Sequence, residues 1–150
     1  MADFDTMEWH TLQMKFLLDI KKYEGNCKRR EVKCMAVEPK CIPPKEIGVG
    51  FNRSIVNCEN CYREENNIPS GTQPENDFAI HAEQDLICKH GDELDGAYVY
   101  VTHKPCITCL KLLVNCGVKK IFYLYEYPSD DFFYSKILKY NNVELTKIDL

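Results

Sequence analysis

The first part of the chain has apolar side chains at helical spacing. Within residues 6–24 they recur at every third or fourth position, which predicts an amphipathic helix that ends at Gly25 and Asn26. The side chains that we expect on its buried face are those of Trp9, Leu12, Phe16, Leu17 and Ile20.

Five short runs rich in β-branched and aromatic residues predict strands: residues 32–37, 47–51, 97–101, 120–125 and 142–147. A turn with three prolines separates the first two, which we therefore expect to form a hairpin. Residues 81–89, 106–115 and 130–140 have helical patterns, and Ser129 is a candidate N-cap of the last helix. Residues 52–77 predict a long loop, and loops of this length usually cover a site.

These elements predict an α/β fold with three layers, in which a mixed five-stranded sheet is flanked by helices. Strands and helices alternate in the second half of the chain, and this alternation is typical of parallel crossover connections. No linker, repeat or low-complexity tract divides the sequence, so we expect one domain over residues 1–150.

Composition and charge narrow the classes of function. The chain has 19 Lys and Arg against 23 Asp and Glu, a net charge of −4, which argues against a general nucleic-acid-binding surface. No apolar stretch approaches the roughly 18 residues of a membrane span, and no signal segment is apparent, so we expect a soluble cytoplasmic protein. Of the nine cysteines, those that bind no metal are then expected to be reduced thiols, with Cys34, Cys88 and Cys116 in the core.

Two short motifs supply the parts of a metal site. His81 offers an imidazole nitrogen, and Cys106 and Cys109 offer two sulfurs at a spacing that lets both reach one ion. Three protein ligands leave one position of a zinc tetrahedron for water, as in catalytic zinc sites. Glu83 lies two residues after His81 and points elsewhere on a helix, so it could serve as general base and then general acid.

Each motif alone is weak evidence. A C-x-x-C pair is also typical of redox centres and structural zinc clips, and H-x-E occurs often by chance. In this order, with Pro105 before the first cysteine, H-x-E and P-C-x-x-C form the signature of zinc-dependent nucleobase deaminases.

Further stretches support a resemblance over about residues 9–130. They are Asn26-Cys27-Lys28-Arg29-Arg30, Gly50-Phe51-Asn52-Arg53, Cys61-Tyr62-Arg63-Glu64 through Ile68-Pro69-Ser70-Gly71 to Ile80-His81-Ala82-Glu83-Gln84, Tyr100-Val101-Thr102-His103-Lys104-Pro105-Cys106, and Tyr127-Pro128. With the two motifs, they resemble the cytidine/deoxycytidylate deaminase superfamily, and most closely its deoxycytidylate (dCMP) deaminases and late-competence deaminases. The resemblance implies a cytidine-deaminase-like fold, a catalytic zinc, and assembly into a homo-oligomer, either a dimer or a hexamer.

The same resemblance implies roles for individual residues. Asn52 would bind the sugar or phosphate side of a nucleotide, although asparagine is also a common turn residue. Arg29 or Arg30 would meet the phosphate, Tyr127 would line the pocket, and the backbone at Thr102 would accept hydrogen bonds from the substrate amine.

Two departures from the family pattern affect these expectations. The family turn continues Gly-x-Pro-x-Gly, whereas this chain has Arg53 and no glycine or proline in the next four positions, which puts regulation by dCTP and dTTP in doubt and places a new charge near the expected phosphate. Some relatives hold a second, structural zinc, for which Cys27, Cys58 and Cys61 could provide three ligands. Because Pro74 and Asp77 replace the usual His and Cys, we expect one zinc ion.

The leading hypothesis is therefore a hydrolase that deaminates dCMP to dUMP and ammonia. We expect its partner to be a free nucleotide, and we expect it to bind neither a membrane nor nucleic acid. One alternative is a deaminase of dCTP, of a modified dCMP, or of a base in nucleic acid. Another is a zinc-stabilised nucleotide-binding module without turnover, against which the presence of Glu83 argues.

Overall fold

The structure is a computed structural model and describes residues 4–21, 31–56, 65–69, 78–128 and 131–150. The helices in these ranges are α1 (Met7–Asp19), α2 (Ala82–His90), α3 (Ile107–Asn115) and α4 (Asp131–Asn141), with a 3₁₀ turn at Gly91–Glu93. The strands are β1 (Lys33–Glu38), β2 (Lys45–Phe51), β3 (Arg53–Ser54), β4 (Ala79–Ile80), β5 (Tyr98–His103), β6 (Lys120–Tyr125) and β7 (Glu144–Lys147).

Five strands form one mixed sheet in the order β2-β1-β5-β6-β7. Strand β1 is antiparallel to both of its neighbours, β2 and β5, whereas β5, β6 and β7 run parallel. The predicted hairpin, the parallel crossovers and the five-stranded sheet are thus confirmed. The two-residue strands β3 and β4 pair antiparallel outside this sheet and were not predicted.

Helices cover both faces of the sheet, which confirms the three predicted layers. On one face, α1 buries Met14 and Leu17 against side chains that include Tyr100 and Phe122. On the other face, α2, α3 and α4 bury residues such as Leu86, Leu110 and Tyr134 against β1, β5 and β6. None of the helices that the structure describes is long and apolar enough to span a bilayer.

Helix α1 differs from the prediction in its end and in its buried face. It begins after the N-cap Thr6, whose hydroxyl accepts the Trp9 amide, and it ends at Asp19, well before Gly25. Its buried residues are His10, Met14 and Leu17, whereas Leu12 and Phe16 are 59 % and 50 % exposed. The prediction is confirmed for Leu17, and Trp9 and Ile20 also pack against the core, but it was wrong for Leu12 and Phe16. It missed His10 because a buried, hydrogen-bonded histidine counts as polar in the hydropathy pattern.

The prediction for the cysteines holds in part. Cys34 is fully buried in β1, and Cys116 is half-buried against the core of the α2–α4 face, but Cys88 is exposed. Helix α2 buries Glu83 and Asp85 together with Ala82 and Leu86, so the face that packs against the rest of the protein is partly polar. Cys88 lies outside this face.

Candidate metal centre and active site

Two helix starts meet beside the sheet. His81 is the N-cap of α2, and its backbone N–H donates to the Gln84 side chain over 2.8 Å, which holds the first turn in place. Cys106 is the N-cap of α3, and Cys109 lies in the first turn of that helix. Because α2 and α3 pack against each other, the three predicted ligands come together.

The geometry of the His81, Cys106 and Cys109 cluster suits a zinc ion. The His81 Nδ1 atom lies 3.2 Å from the Cys109 Sγ and 3.5 Å from the Cys106 Sγ, and all three atoms lie within 4.8 Å of one another. Zinc sits about 2.0–2.1 Å from imidazole nitrogen and about 2.3 Å from sulfur, so a nitrogen–sulfur edge of its tetrahedron is about 3.6 Å. One nitrogen and two sulfurs are also a donor set that zinc binds well.

The two thiols are electrostatically unequal. A hydrogen bond from Cys109 is the main cause that lowers the pKa of Cys106 to about 4, and His81 adds to the effect. The pKa of Cys109 is raised, first by that same bond to Cys106 and then by burial. These shifts favour a thiolate at Cys106 beside a protonated Cys109, and a metal ion that displaces the remaining proton would convert both sulfurs to thiolates.

The Glu83 carboxyl faces this cluster from the first turn of α2. Only 4 % of the residue is exposed, and burial raises its pKa to about 7. Its charged form is favoured by its own backbone N–H and by His81, disfavoured by Cys106, and favoured by a hydrogen bond from Cys109. A carboxyl group that exchanges a proton near neutral pH is suited to general acid–base catalysis.

Asp85 and Gly50 position this helix, and the sequence analysis singled out neither role. The Asp85 carboxylate is 1 % exposed and accepts the Phe51 amide over 3.0 Å, which ties α2 to the end of β2. A Cβ atom on Gly50 would meet the Ala82 carbonyl oxygen and the Leu86 amide, so only glycine allows β2 to approach α2 this closely. An acidic residue between Ala82 and Leu86 on an apolar face is the signal that could have revealed Asp85.

Tyr134 supports the cysteine side of the site from α4. Its hydroxyl donates to the Pro105 carbonyl over 2.8 Å, directly before Cys106, and its side chain is buried. Burial raises the pKa of Tyr134, with smaller contributions from Glu83 and Cys106, so the phenol stays protonated and able to donate. The sequence Phe132-Phe133-Tyr134 gave no sign of this contact.

The predicted substrate residues stand as follows. The Asn52 Oδ1 atom accepts the Val32 amide over 2.9 Å, so this side chain bonds to the backbone just before β1, and its contact with a nucleotide stays a prediction. Thr102 is buried, and its hydroxyl accepts the Lys33 amide and bonds to His103. The predicted bond from a substrate amine to the Thr102 backbone stays a prediction. Tyr127 is half-buried.

Several predictions fall outside the described residues: Arg29, Arg30, Cys27, Cys58 and Cys61. The phosphate contacts of the two arginines and the second zinc site therefore stay predictions. Homo-oligomer formation also stays a prediction; Phe132 and Phe133 are 64 % and 60 % exposed, whereas Tyr134 is buried.

The fold and the site together fit a domain that binds a zinc ion through His81, Cys106 and Cys109. Residues 7–125 match the sequence profile described as the cytidine and deoxycytidylate deaminase zinc-binding region. The chain belongs to that family.

Individual relatives agree with this assignment at modest identity. The ComE operon protein 2 of Bacillus subtilis (strain 168) is 33 % identical over 111 residues, which are 70 % of this chain and 53 % of the relative. The deoxycytidylate deaminase of Saccharomyces cerevisiae is 28 % identical over 136 residues, which are 87 % of this chain and 42 % of the relative. The chain thus spans about half the length of these relatives or less.

A solved structure shares the fold. The dCMP deaminase of the cyanophage S-TIM5 in its apo form has a TM-score of 0.61 and 24 % identity, with 97 % of this chain and 99 % of that chain covered. In its complex with dCMP and dUMP the TM-score is 0.58 and the identity 27 %, with 94 % and 92 % covered.

Proposed function

We propose that this protein is a zinc-dependent hydrolase that deaminates dCMP to dUMP and ammonia. The observation that carries the proposal is the convergence of His81, Cys106 and Cys109 on one point, with the buried carboxyl of Glu83 against them. A structural zinc clip has no need for an acid with a near-neutral pKa beside it, whereas a hydrolytic site does.

The metal ligands, Glu83 and the supporting residues have different roles in this reaction. A zinc ion held by the cluster would lower the pKa of a bound water and supply a nucleophile at neutral pH. With the ion bound, Glu83 would move one proton from the attacking water to N3 of the cytosine ring. It would then carry the second proton of that water, from the new hydroxyl on C4, to the amine as the C4–N bond breaks and ammonia leaves. Asp85 ties the start of α2 to the end of β2, and Tyr134 holds the Pro105 carbonyl directly before Cys106.

The choice of dCMP rests on the relatives. The S-TIM5 enzyme binds dCMP and dUMP, and the yeast relative is a deoxycytidylate deaminase. A free nucleotide also suits a chain of net charge −4, because an extended nucleic acid is normally bound along a track of basic residues.

The test is ammonia release from dCMP by zinc-loaded protein. We expect turnover in the wild type and a loss of about 10²–10⁴-fold in Glu83→Gln, as is typical when a general acid–base group is removed. Glu93→Gln is the matched control, because Glu93 is an exposed carboxylate just beyond the same helix. Equal rates in wild type and Glu83→Gln would remove Glu83 from the mechanism.

The substrate assignment is tested by a panel of dCMP, dCTP, deoxycytidine and a cytosine-containing oligonucleotide under the same conditions. We expect the highest kcat/KM with dCMP. Faster deamination of another member would replace dCMP as the substrate. Full zinc loading and nucleotide binding without ammonia release from any member would identify a silent binding module instead.

A further inference from the structure

The backbone of Arg53 lies at the margin of the site. It is the first residue of β3, and its register partner in β4 is Ile80, the residue directly before His81. Asp85 lies one helical turn after His81, since its amide donates to the His81 carbonyl over 3.0 Å. Arg53 therefore lies beside the strand that leads into His81, and its side chain reaches the first turn of α2.

The guanidinium of Arg53 is held by one of its nitrogens. Its Nε atom donates to the Asp85 Oδ1 over 3.1 Å. Asp85 is 1 % exposed, whereas the Arg53 side chain is 34 % exposed, so the inner end is fixed and the outer end reaches solvent. In the part of the chain that the structure describes, Asp85 is the only polar partner of the Arg53 side chain. Toward the described residues, its two terminal nitrogens make no hydrogen bond, so their four N–H groups could donate to a ligand.

The local charge balance favours an anion. The Asp85 carboxylate also pairs with Lys89, whose Nζ lies 3.3 Å from Oδ2. Asp85 holds the inner end of the Arg53 guanidinium, whereas the outer end of that group presents its positive charge toward solvent. A planar fork of N–H donors that is fixed in orientation is the arrangement that binds phosphate oxygens in pairs.

We propose that Arg53 binds the 5′-phosphate of the substrate and makes this site specific for nucleoside monophosphates over free nucleosides. This inference rests on the proposed function, since it takes the base to be at the zinc cluster. Asp85 acts through Arg53 as a positioning residue. The role belongs to this chain, because arginine stands where the resembling family has glycine in its turn.

The test compares binding of dUMP and deoxyuridine to the zinc-loaded protein by isothermal titration calorimetry. Wild type is expected to bind dUMP more tightly than deoxyuridine. In Arg53→Gln we expect the affinity for dUMP to fall by about 10- to 100-fold, the usual effect of losing charge-assisted hydrogen bonds, with deoxyuridine binding within about threefold. The same split is expected in kcat/KM for dCMP against deoxycytidine.

Lys89→Gln is the matched control, because it removes the other cation on Asp85. It should change binding of both ligands by less than about threefold. Arg53→Lys keeps the charge but loses the fork, so we expect a smaller loss for dUMP than in Arg53→Gln; it also provides a second variant if the glutamine protein folds poorly. Thermal unfolding of each variant reports its folded state.

The outcomes separate the two proposals. Suppose that wild type prefers dUMP and that Arg53→Gln either keeps this preference or loses affinity for both ligands equally. Arg53 then has only its structural bond to Asp85, and this inference is wrong. If wild type neither prefers dUMP nor deaminates dCMP, the monophosphate assignment fails, and the inference with it.

Discussion

The two faces of the sheet each carry a histidine in a polar cluster, and the two clusters differ in how the imidazole is satisfied. Under α1, His10 uses both ring nitrogens: Nδ1 lies 2.6 Å from the Tyr100 hydroxyl and Nε2 lies 2.8 Å from the Asp5 carboxylate. Its ring also stacks on Phe122 at 4.0 Å. Across the sheet, the Nδ1 of His81 faces the sulfurs of Cys106 and Cys109.

This difference distinguishes a histidine that stabilises the fold from a histidine that can bind a metal ion. Oxygen partners at ordinary hydrogen-bond lengths satisfy His10 within the protein, so its cluster needs no ligand. Sulfur is a weak hydrogen-bond partner, so the His81 cluster gains most from an ion that all three side chains can share. Changes at His10 should therefore cost stability, and changes at His81 should cost metal binding and turnover.

The largest effect is expected from removing the imidazole of the metal cluster. His81→Ala should lower the zinc content and reduce dCMP turnover to background, because two sulfurs alone no longer define the site. Zinc per chain by mass spectrometry and ammonia release are the measurements. His90→Ala, at the other end of α2, is the matched control and should retain both.

Removing the other histidine should have the opposite profile. His10→Ala leaves a gap beside Phe122 and a buried Tyr100 hydroxyl without its partner, so the free energy of unfolding should fall by about 2–4 kcal/mol. Chemical denaturation measures this loss, and Tyr100→Phe should lose less, about 1 kcal/mol. A loss of turnover in His10→Ala while it remains folded would break the distinction between the two faces.

A smaller effect is expected where a residue supports the metal cluster without touching the ion. Tyr134→Phe loses the hydrogen bond to the Pro105 carbonyl, and zinc affinity should fall by about tenfold, the lower end for outer-shell partners. Competition with a chelator measures the affinity. Unchanged zinc affinity would mean that the start of α3 is held without Tyr134.

The pH dependence of stability should be the mildest of these effects. Burial lowers the pKa of His10 below 6.5 in the folded protein, and the Asp5 carboxylate offsets this only in part. The unfolded chain then binds more protons just below pH 6.5, so the free energy of unfolding should fall as the pH drops from 6.5 toward the folded-state pKa, with a slope of at most about 1.4 kcal/mol per pH unit for one proton.

Denaturation of wild type and His10→Ala between pH 7.5 and 5 isolates this contribution, because the difference between the two proteins should shrink as the pH is lowered. The pKa of Asp5 is lowered from 3.8, chiefly by its hydrogen bond to Lys120, so its own contribution is lost only at lower pH. A difference that stays constant would show that His10 titrates equally in both states.

Much of this architecture could be predicted from the sequence, and the exceptions share one cause. The parallel β5-α3-β6 unit follows from apolar periodicity, and the metal cluster follows from motif spacing. Sequence analysis did not predict the full buried face of α1 or the exposure of Cys88. The reason is that His10 in α1, and Glu83 and Asp85 in α2, are polar residues on buried faces. Hydropathy assigns such residues to the surface, although hydrogen bonds and a site's chemistry keep them inside.

The supporting contacts were beyond sequence analysis for a different reason. The bonds from Arg53 to Asp85 and from Tyr134 to Pro105 each join residues about thirty positions apart. No local pattern encodes such pairs, since they depend on how separate elements dock. Together with the bond from the Phe51 amide to Asp85, they connect more distant parts of the chain to the two helix starts.

The most direct test of the account is a crystal structure of catalytically active, zinc-loaded protein with anomalous diffraction measured at the zinc edge. We expect a peak about 2.0–2.1 Å from the His81 Nδ1 and about 2.3 Å from both the Cys106 and Cys109 Sγ atoms. Active crystals with no anomalous peak between these three side chains would contradict the central claim.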